Sequence, residues 1–236
     1  MILFPKTQRR PMHRELDANW QTDPEGPRAR PGRVDIWRLD LVDLAAQQPR
    51  RGHQPSALRT RTGPIQPDIR AAAHHARRQI LGRYLDRDAE SLVIGLHPGG
   101  KPMLESPDRA LEFNLSHSRD VGLLAVTIGA HVGIDIELER RHIEDPLRIA
   151  RRVMSSAEVD LLAGLAATAR RRAFFDLWTR LEARQKALGR GIFEEPVSTD
   201  SLSLFSFRPE AAHAACLAVS PVMTQPQIRF FHYSAR

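Results

Sequence analysis

The stretch VGIDIELE, residues 132–139, alternates apolar and acidic side chains with a period of two residues. This is the period of a β-strand, whose successive side chains point to opposite faces of the sheet. Ile134 and Ile136 therefore lie on one predicted face, and Asp135 and Glu137 lie on the other. Carboxylates two residues apart on a strand are about 7 Å apart, so both can reach one hard cation. The alternative interpretation is a half-exposed strand with its acids in water.

A predicted helix later in the chain adds a third carboxylate and a cation. Between Trp178 and Lys186, Glu182 and Lys186 are four residues apart and share one face, at the edge of an apolar stripe. An ordinary pair that stabilises a helix by about 0.2–0.5 kcal/mol is the alternative. The position of this lysine is nevertheless informative, because Lys6, Lys101 and Lys186 are the only lysines in an arginine-rich chain.

Two short segments carry further candidate ligands. In the turn GGKP, residues 99–102, glycines would let the backbone approach a ligand beside Lys101, and FNLSHS, residues 113–118, places His117 at the end of a predicted strand. An ordinary turn and a structural histidine are the alternatives. The sequence contains no serine-hydrolase elbow, no Walker phosphate loop and no paired-histidine metal motif.

Composition restricts the class of protein and the partner. A chain of 236 residues that is 42% hydrophobic can bury a substantial core, as one large domain or two small ones. The net charge of +7 favours an anionic partner. The single cysteine, Cys216, excludes an internal disulfide and a multi-thiolate zinc site, and it indicates a reducing compartment, by default the cytoplasm. No segment approaches the roughly 20 apolar residues of a membrane-spanning helix.

The pattern along the chain predicts three parts. Residues 1–33 form an arm that we expect to be disordered, residues 34–128 an N-terminal α+β half, and residues 129–236 a C-terminal α+β half. Residues 47–68 resemble a loop in composition. Strands and helices without a regular βαβ alternation favour the α+β class.

Local signals predict the individual elements. The predicted strands lie in VDIWRLDLVDL at residues 34–44, in LEFNLS, in VGLLAVTI and between Ser201 and Val222. One predicted helix runs from an Asp68 N-cap to Leu85, and another runs from about Arg171 to Leu188 and ends at Gly189. A further helix begins with the capping box of Ser155 and Glu158, and its predicted buried stripe is Leu161, Leu162 and Leu165.

In their order along the chain, the motifs G-K-P, F-N-L-S-H-S, V-G-I-D-I-E and F-F-D-L-W-T-x-x-E-A-x-x-K-A-x-G-x-G-I resemble the Sfp-type 4′-phosphopantetheinyl transferases. The resemblance covers roughly Asp35 to Pro196. It implies two similar α+β halves related by a pseudo-twofold axis, with the active site in the cleft between them. It also implies magnesium-dependent transfer of 4′-phosphopantetheine from coenzyme A to a serine of an acyl or peptidyl carrier protein, giving holo-carrier and 3′,5′-ADP.

The resemblance also assigns roles to residues. Asp135, Glu137 and Glu182 match the carboxylates that bind Mg²⁺, and Glu182 and Lys186 match the catalytic pair. Of these, Glu182 would help to deprotonate the acceptor serine and Lys186 would meet the pyrophosphate. The residues implied to contact coenzyme A are Arg78, Lys101, Pro102, Ser116, His117 and Lys186, with His117 near the 3′-phosphate.

The expected partners are coenzyme A and an acidic carrier protein, with no nucleic acid, no membrane and a monomeric chain. The chain departs from the family pattern in residues 50–68, where no alignment is evident, at His74, which stands in place of an arginine, and at Leu181, which stands where the family has lysine. A family member that binds coenzyme A or a carrier without turnover is therefore the first alternative. A basic nucleic-acid-binding module is the second, and it is disfavoured because the arginine pairs are scattered and 6% aromatic residues offer no stacking platform.

Overall fold

The computed structural model describes residues 12–47, 68–105, 107–140, 142–191, 202–223 and 225–235. Helices combine with mixed sheets in these ranges, which confirms the α+β prediction. Nearly all of the loop predicted at residues 47–68 lies outside the described residues, as does Pro196 at the end of the last motif. Within the described ranges, no helix combines the length and the apolar character needed to cross a membrane.

Eleven strands, five α-helices and two short 3-10 helices (Ala89–Ser91 and Asp108–Ala110) make up the described fold. The strands are β1 (Met12–Leu16), β2 (Trp20–Gln21), β3 (Arg33–Asp40), β4 (Ile94–Leu96), β5 (Pro102–Leu104), β6 (Leu111–Ser118), β7 (Val121–Ile128), β8 (His131–Leu138), β9 (Ser203–Phe207), β10 (His213–Ser220) and β11 (Gln227–His232). The helices are α1 (Leu41–Gln47), α2 (Ile69–Leu85), α3 (Pro146–Val153), α4 (Ser156–Ala163) and α5 (Ala167–Leu188).

Two sheets and two long helices stack in four layers. The five-stranded sheet has the order β2-β11-β3-β7-β6, and the four-stranded sheet has the order β1-β9-β10-β8. Helix α2 packs on the outer face of the five-stranded sheet around Trp37 and Ile80. The inner faces of the sheets meet around Ile36 and Ile134, and α5 covers the outer face of the four-stranded sheet around Cys216. Apolar residues therefore fill all three interfaces between the layers.

The structure confirms the predicted helix ends and adjusts two details. Asp68 accepts a hydrogen bond from the first turn of α2, the Ser155 capping box forms at α4, and α5 ends at Gly189 with φ +65°. Helix α5 begins at Ala167, about one turn earlier than predicted. In α4 Leu162 is buried as expected, whereas Leu161 is 56% exposed.

The strand predicted over residues 34–44 is shorter than expected. It ends at Asp40, where the chain turns directly into α1. Leu41 and Leu44 are both buried, and their spacing of three residues fits the inward face of a helix. The apolar run at this point therefore serves two elements, which a period-two pattern alone does not distinguish.

The chain termini pair across the predicted halves. The expectation of disorder for residues 1–33 is wrong for residues 12–21, because β1 pairs in parallel with β9 and β2 pairs in parallel with β11. The unpredicted strand β11 pairs in parallel with β3, so the last strand of the chain belongs to the sheet of the N-terminal half. Such pairings leave no local signal, because they join residues far apart in sequence.

Two glycines bring α5 close to its neighbours. A Cβ atom on Gly133 of β8 would lie 2.1 Å from the carbonyl oxygen of Ala183. A Cβ atom on Gly99, in the turn between β4 and β5, would lie 1.7 Å from the carbonyl oxygen of Gly189. Neither position has room for a side chain, so α5 contacts both β8 and the turn of the GGKP segment.

Candidate active site

Side chains, rather than a backbone ladder, link the edge strands β6 and β8. The Ile134 N–H group donates to Asn114 Oδ1 at 2.8 Å, and the Leu138 N–H group donates to Ser118 Oγ at 3.0 Å. Polar side chains of β6 thereby satisfy backbone groups of β8 that have no strand partner on this side. The hydroxyl groups of β6 are thus placed beside the carboxylates of β8, and we call this contact between the strands the β6–β8 seam.

Asp135 is the most buried acid of the seam, with 2% of its surface exposed. Its Oδ1 atom accepts hydrogen bonds from Ser116 Oγ at 2.9 Å and from Lys186 Nζ at 2.5 Å. Its Oδ2 atom is buried and has no hydrogen-bond partner within the described ranges. Burial raises the pKa of Asp135 to about 7, Lys186 opposes this rise, and the charges of Glu182 and Glu137 add to it. The three predicted metal ligands therefore share one electrostatic environment.

Lys186 joins the two elements of the site. Its ammonium group donates to Ser116 Oγ at 3.1 Å and lies 3.4 Å from Glu182 Oε2, in addition to its contact with Asp135. Burial by itself lowers the pKa of Lys186, but the neighbouring carboxylates outweigh it and the net shift is upward. Ser116, Asp135, Glu182 and Lys186 thus meet in one cluster.

The acidic face of β8 is not solvated, so the interpretation of a strand with acids in water is wrong for its central residues. Glu137 is 9% exposed, and its Oε2 atom accepts a hydrogen bond from Ser118 Oγ at 3.1 Å. Glu139, the next acid on the same face, instead forms an ion pair with Arg208. Burying charged carboxylates is costly unless they are paired or bind a cation.

The carboxylates of Asp135, Glu137 and Glu182 are groups of the chemical type that binds a divalent cation. Carboxylate oxygens are the ligands that Mg²⁺ prefers, and Asp135 offers a buried oxygen atom that no described hydrogen-bond donor occupies. In the part of the chain that the structure describes, however, no group of three His, Cys, Asp or Glu side chains is arranged to hold a metal ion. The Lys186 ammonium group contacts both Asp135 and Glu182 in this arrangement.

Lys101 and Pro102 have mainly structural contacts. The Lys101 ammonium group is buried, donates to the Val132 carbonyl oxygen at 2.9 Å and lies 3.3 Å from Glu112 Oε2. Burial lowers its pKa, and Glu112 counteracts this effect. Pro102 begins β5 and pairs with Leu96 in the small hairpin. These contacts anchor the hairpin to β8, and a contact of either residue with coenzyme A stays a prediction.

Arg78 also has structural partners. Its Nη2 atom donates to the carbonyl oxygens of Glu90 at 3.1 Å and Leu92 at 2.7 Å. The neighbouring Arg77 is different, because it is 8% exposed and has no ion pair or hydrogen bond within the described ranges, while its guanidinium group lies 5.6 Å from the centre of the Phe113 ring. A buried guanidinium group without a counter-ion is a candidate for binding an anion.

A basic cluster surrounds His117. Partial burial lowers the pKa of His117, and the charges of Arg70 and Lys186 lower it further. Partial burial likewise lowers the pKa of His74, and the charges of Arg77, Arg70 and His117 add to this effect. His117 of β6 was predicted from sequence as a site residue, whereas Arg70, His74 and Arg77 of α2 were not. Their signal was present as arginine and histidine at spacings of three and four residues on one helix face.

Leu181, which replaces the lysine of the family pattern, is 6% exposed and packs in the core. Neither of the two nearest arginines, Arg180 and Arg184, extends into the cluster around Asp135. Arg180 Nε donates to Ser206 Oγ at 3.2 Å, and Arg184 lies near Glu158, whose charge counteracts the lowering of the Arg184 pKa by burial. The position is therefore an apolar core position in this chain.

Leu181→Lys should consequently destabilise the protein rather than improve its binding of anions. Because the ammonium group would replace a buried apolar side chain, the free energy of unfolding should fall by about 2 kcal/mol or more. Leu161→Lys is the matched control on α4, where the leucine is exposed, and it should change stability by less than about 0.5 kcal/mol. Urea unfolding measures both. Equal stability of the two variants would contradict the core assignment.

Comparisons with known proteins agree with the sequence motifs. Residues 131–234 match the family model of the 4′-phosphopantetheinyl transferase superfamily. The chain is 29% identical to the 4′-phosphopantetheinyl transferase HetI of Nostoc sp., over 92% of this chain and 100% of that protein. It is 37% identical to the 4′-phosphopantetheinyl transferase psf-1 of Bacillus pumilus, over 50% of this chain and 52% of that protein. The identity with the 4′-phosphopantetheinyl transferase gsp of Aneurinibacillus migulanus is 32%, over 49% of this chain and 46% of that protein. The chain thus matches HetI over its whole length and the other two over about half of theirs, and the resemblance inferred from the motifs is confirmed.

Proposed function

We propose, from the matches to the 4′-phosphopantetheinyl transferase superfamily, that the chain is an enzyme of this family and transfers 4′-phosphopantetheine from coenzyme A to a serine of an acyl or peptidyl carrier protein. The observation that carries the proposal is the meeting of Ser116, Asp135, Glu182 and Lys186 across the β6–β8 seam and α5. These four residues come from three of the family motifs, and the fold brings them together.

We propose that the basic cluster at α2 binds the nucleotide end of coenzyme A. Arg77, which has no counter-ion within the described ranges, and His117, whose neighbours include Arg70, would hold phosphate groups. Arg77 is therefore a better candidate than the neighbouring Arg78, whose guanidinium group already binds two backbone carbonyls. Lys186, whose charge also acts on His117, would contact the pyrophosphate.

The reaction requires one proton transfer and one displacement. The serine oxygen of the carrier forms a bond to the phosphorus that bears the pantetheine arm, and the bond from that phosphorus to the oxygen of 3′,5′-ADP breaks. Glu182 would accept the serine proton, and Lys186 would stabilise the negative charge of the departing 3′,5′-ADP. When bound by Asp135, Glu137 and Glu182, Mg²⁺ would supply further positive charge at the pyrophosphate.

An acidic carrier suits the surface of this chain. The net charge is +7, and α3 exposes Arg148, Arg151 and Arg152 at a spacing that places them on one helix face. Positive surfaces of this kind accelerate association with acidic partners. We propose that the chain acts as a cytoplasmic monomer on such a carrier, without a nucleic-acid or membrane partner. The layers of α2 on one sheet and α5 on the other support the proposed pseudo-twofold relation of two halves.

Intact mass spectrometry tests this function directly. An apo carrier incubated with coenzyme A, Mg²⁺ and the protein should gain the mass of one phosphopantetheine group and release 3′,5′-ADP. The same carrier with its acceptor serine replaced by alanine is the control and should gain nothing. Binding of coenzyme A without any mass gain on several carriers would instead favour the alternative of a binding protein without turnover, and tight retention on DNA with no affinity for carriers would favour a nucleic-acid-binding module.

His117→Ala should distinguish two forms of the donor. If His117 contacts the 3′-phosphate, the variant should raise the KM for coenzyme A about tenfold or more, because a charge-assisted hydrogen bond is lost. The KM for 3′-dephospho-coenzyme A should hardly change, since that phosphate is absent. His75→Ala, at an exposed histidine of α2, is the control. Equal losses with both donors would assign His117 a structural role.

A further inference from the structure

We propose that Ser118, the last residue of β6, is a positioning residue that fixes the carboxylate of Glu137 for the reaction. The inference rests on the proposed function and extends it to a residue outside the predicted site. Ser118 is buried, and its side chain faces β8.

The Ser118 hydroxyl group makes two bonds to adjacent parts of β8. It donates its proton to Glu137 Oε2 at 3.1 Å, and it accepts the N–H group of Leu138 at 3.0 Å. The Leu138 amide directly follows Glu137 in the chain, so one hydroxyl group holds both the side chain and the adjoining backbone of Glu137. The accepted bond fixes the oxygen, and the donated bond then fixes the direction of the proton.

This restraint matters because a glutamate carboxylate rotates about three side-chain bonds. Holding such a side chain in a single conformation costs entropy, and a donor that is already ordered reduces the loss that remains when a ligand binds. Hydrogen bonds to ligating carboxylates serve this purpose at metal sites, and their removal typically weakens metal binding about 10–100-fold.

The other polar residues of the seam allow the proposed role of Ser118 to be distinguished from a role in holding the two strands together. Ser116 contacts Asp135 and Lys186 together, so its replacement would disturb two groups. Asn114 binds the Ile134 N–H group, and no hydrogen bond joins its side chain to a carboxylate in the described ranges. Asn114→Ala therefore removes a seam bond of the same kind as that of Ser118, but leaves the carboxylates alone.

Binding of Mn²⁺ to the protein without coenzyme A, followed by electron paramagnetic resonance, tests the proposal apart from activity. Ser118→Ala should weaken Mn²⁺ binding about 10–100-fold. Ser118→Thr keeps the hydroxyl group and should stay within about threefold of the wild type. Asn114→Ala should lower the melting temperature and leave the Mn²⁺ affinity unchanged. In the transfer assay, Ser118→Ala should lower kcat with little change in the KM for coenzyme A.

Three results would overturn the proposal: wild-type affinity for Mn²⁺ in folded Ser118→Ala, an equal loss in Asn114→Ala, or no Mn²⁺ binding by the wild type. If Ser118→Ala does not fold, Ser118→Cys fills nearly the same space with a weaker donor, and it should show the same direction of change. The two proposals can fail separately. If the wild type transfers nothing to any carrier, the proposed function is wrong. If Ser118→Ala nevertheless weakens Mn²⁺ binding, the role of Ser118 is supported.

Discussion

Asp135→Asn should lower the rate of phosphopantetheine transfer by at least about 10²-fold, because it removes a negatively charged oxygen of the proposed Mg²⁺ site. The folded state should persist, since an amide fills the same volume and a buried charge disappears. Asp135 provides the contact to Lys186 and the buried Oδ2 atom without a hydrogen-bond partner in the described ranges. Single-turnover transfer at saturating coenzyme A and Mg²⁺, with circular dichroism as the check on folding, measures the effect.

Glu139→Gln is the matched control for this prediction. Glu139 lies on the same face of the chain two residues after Glu137, but its carboxylate pairs with Arg208. It should keep transfer within about threefold of the wild type, since this partly exposed ion pair lies outside the proposed Mg²⁺ site and such pairs contribute little. Glu137→Ala and Glu182→Gln should resemble Asp135→Asn, and a chelator should abolish activity in the wild type. Full transfer in excess chelator would refute the magnesium assignment.

Local signals predicted a large part of the fold. The Asp68 N-cap, the capping box of Ser155 and Glu158 and the Gly189 C-cap each satisfy backbone groups within a few residues, so their signals lie entirely in the sequence around them. Strands β6, β7 and β8 follow one another through short turns and were predicted in the same way. The parallel pairing of β11 with β3 had no such signal.

The residues of the candidate site were named from sequence, but their burial and their contacts were not. Asp135 and Glu137 carry the alternation of a half-exposed strand, and the sequence does not show that α5 covers this face through the contact at Gly133. Likewise, Arg77 and Arg78 are equivalent in sequence. On a helix they point about 100° apart, so one guanidinium group binds the carbonyl of Leu92 while the other lies over Phe113. Only the packing of α2 distinguishes them.

Lys186→Met should cause the second large loss of transfer and should also change how stability depends on pH. The variant removes contacts to Asp135, Glu182 and Ser116 together, and we expect transfer to fall about 10²–10³-fold. Because Lys186 is the group that lowers the pKa of Asp135 against the effect of burial, the Asp135 pKa should rise further in the variant.

The sign of the pH effect follows from proton binding. Between the pKa of Asp135 in the unfolded chain and its raised pKa in the folded chain, the folded state binds more protons, so the free energy of unfolding decreases as the pH rises. Lys186→Met should therefore lose more stability between pH 5 and pH 8 than the wild type does, measured by urea unfolding with a chelator present. Lys186→Arg keeps the charge and should retain the wild-type slope. In the double variant Asp135→Asn with Lys186→Met the additional slope should disappear, because no carboxylate remains at that position to bind the proton. If the double variant keeps it, the proton binds elsewhere and the buried contact between Asp135 and Lys186 does not control the electrostatics of the site.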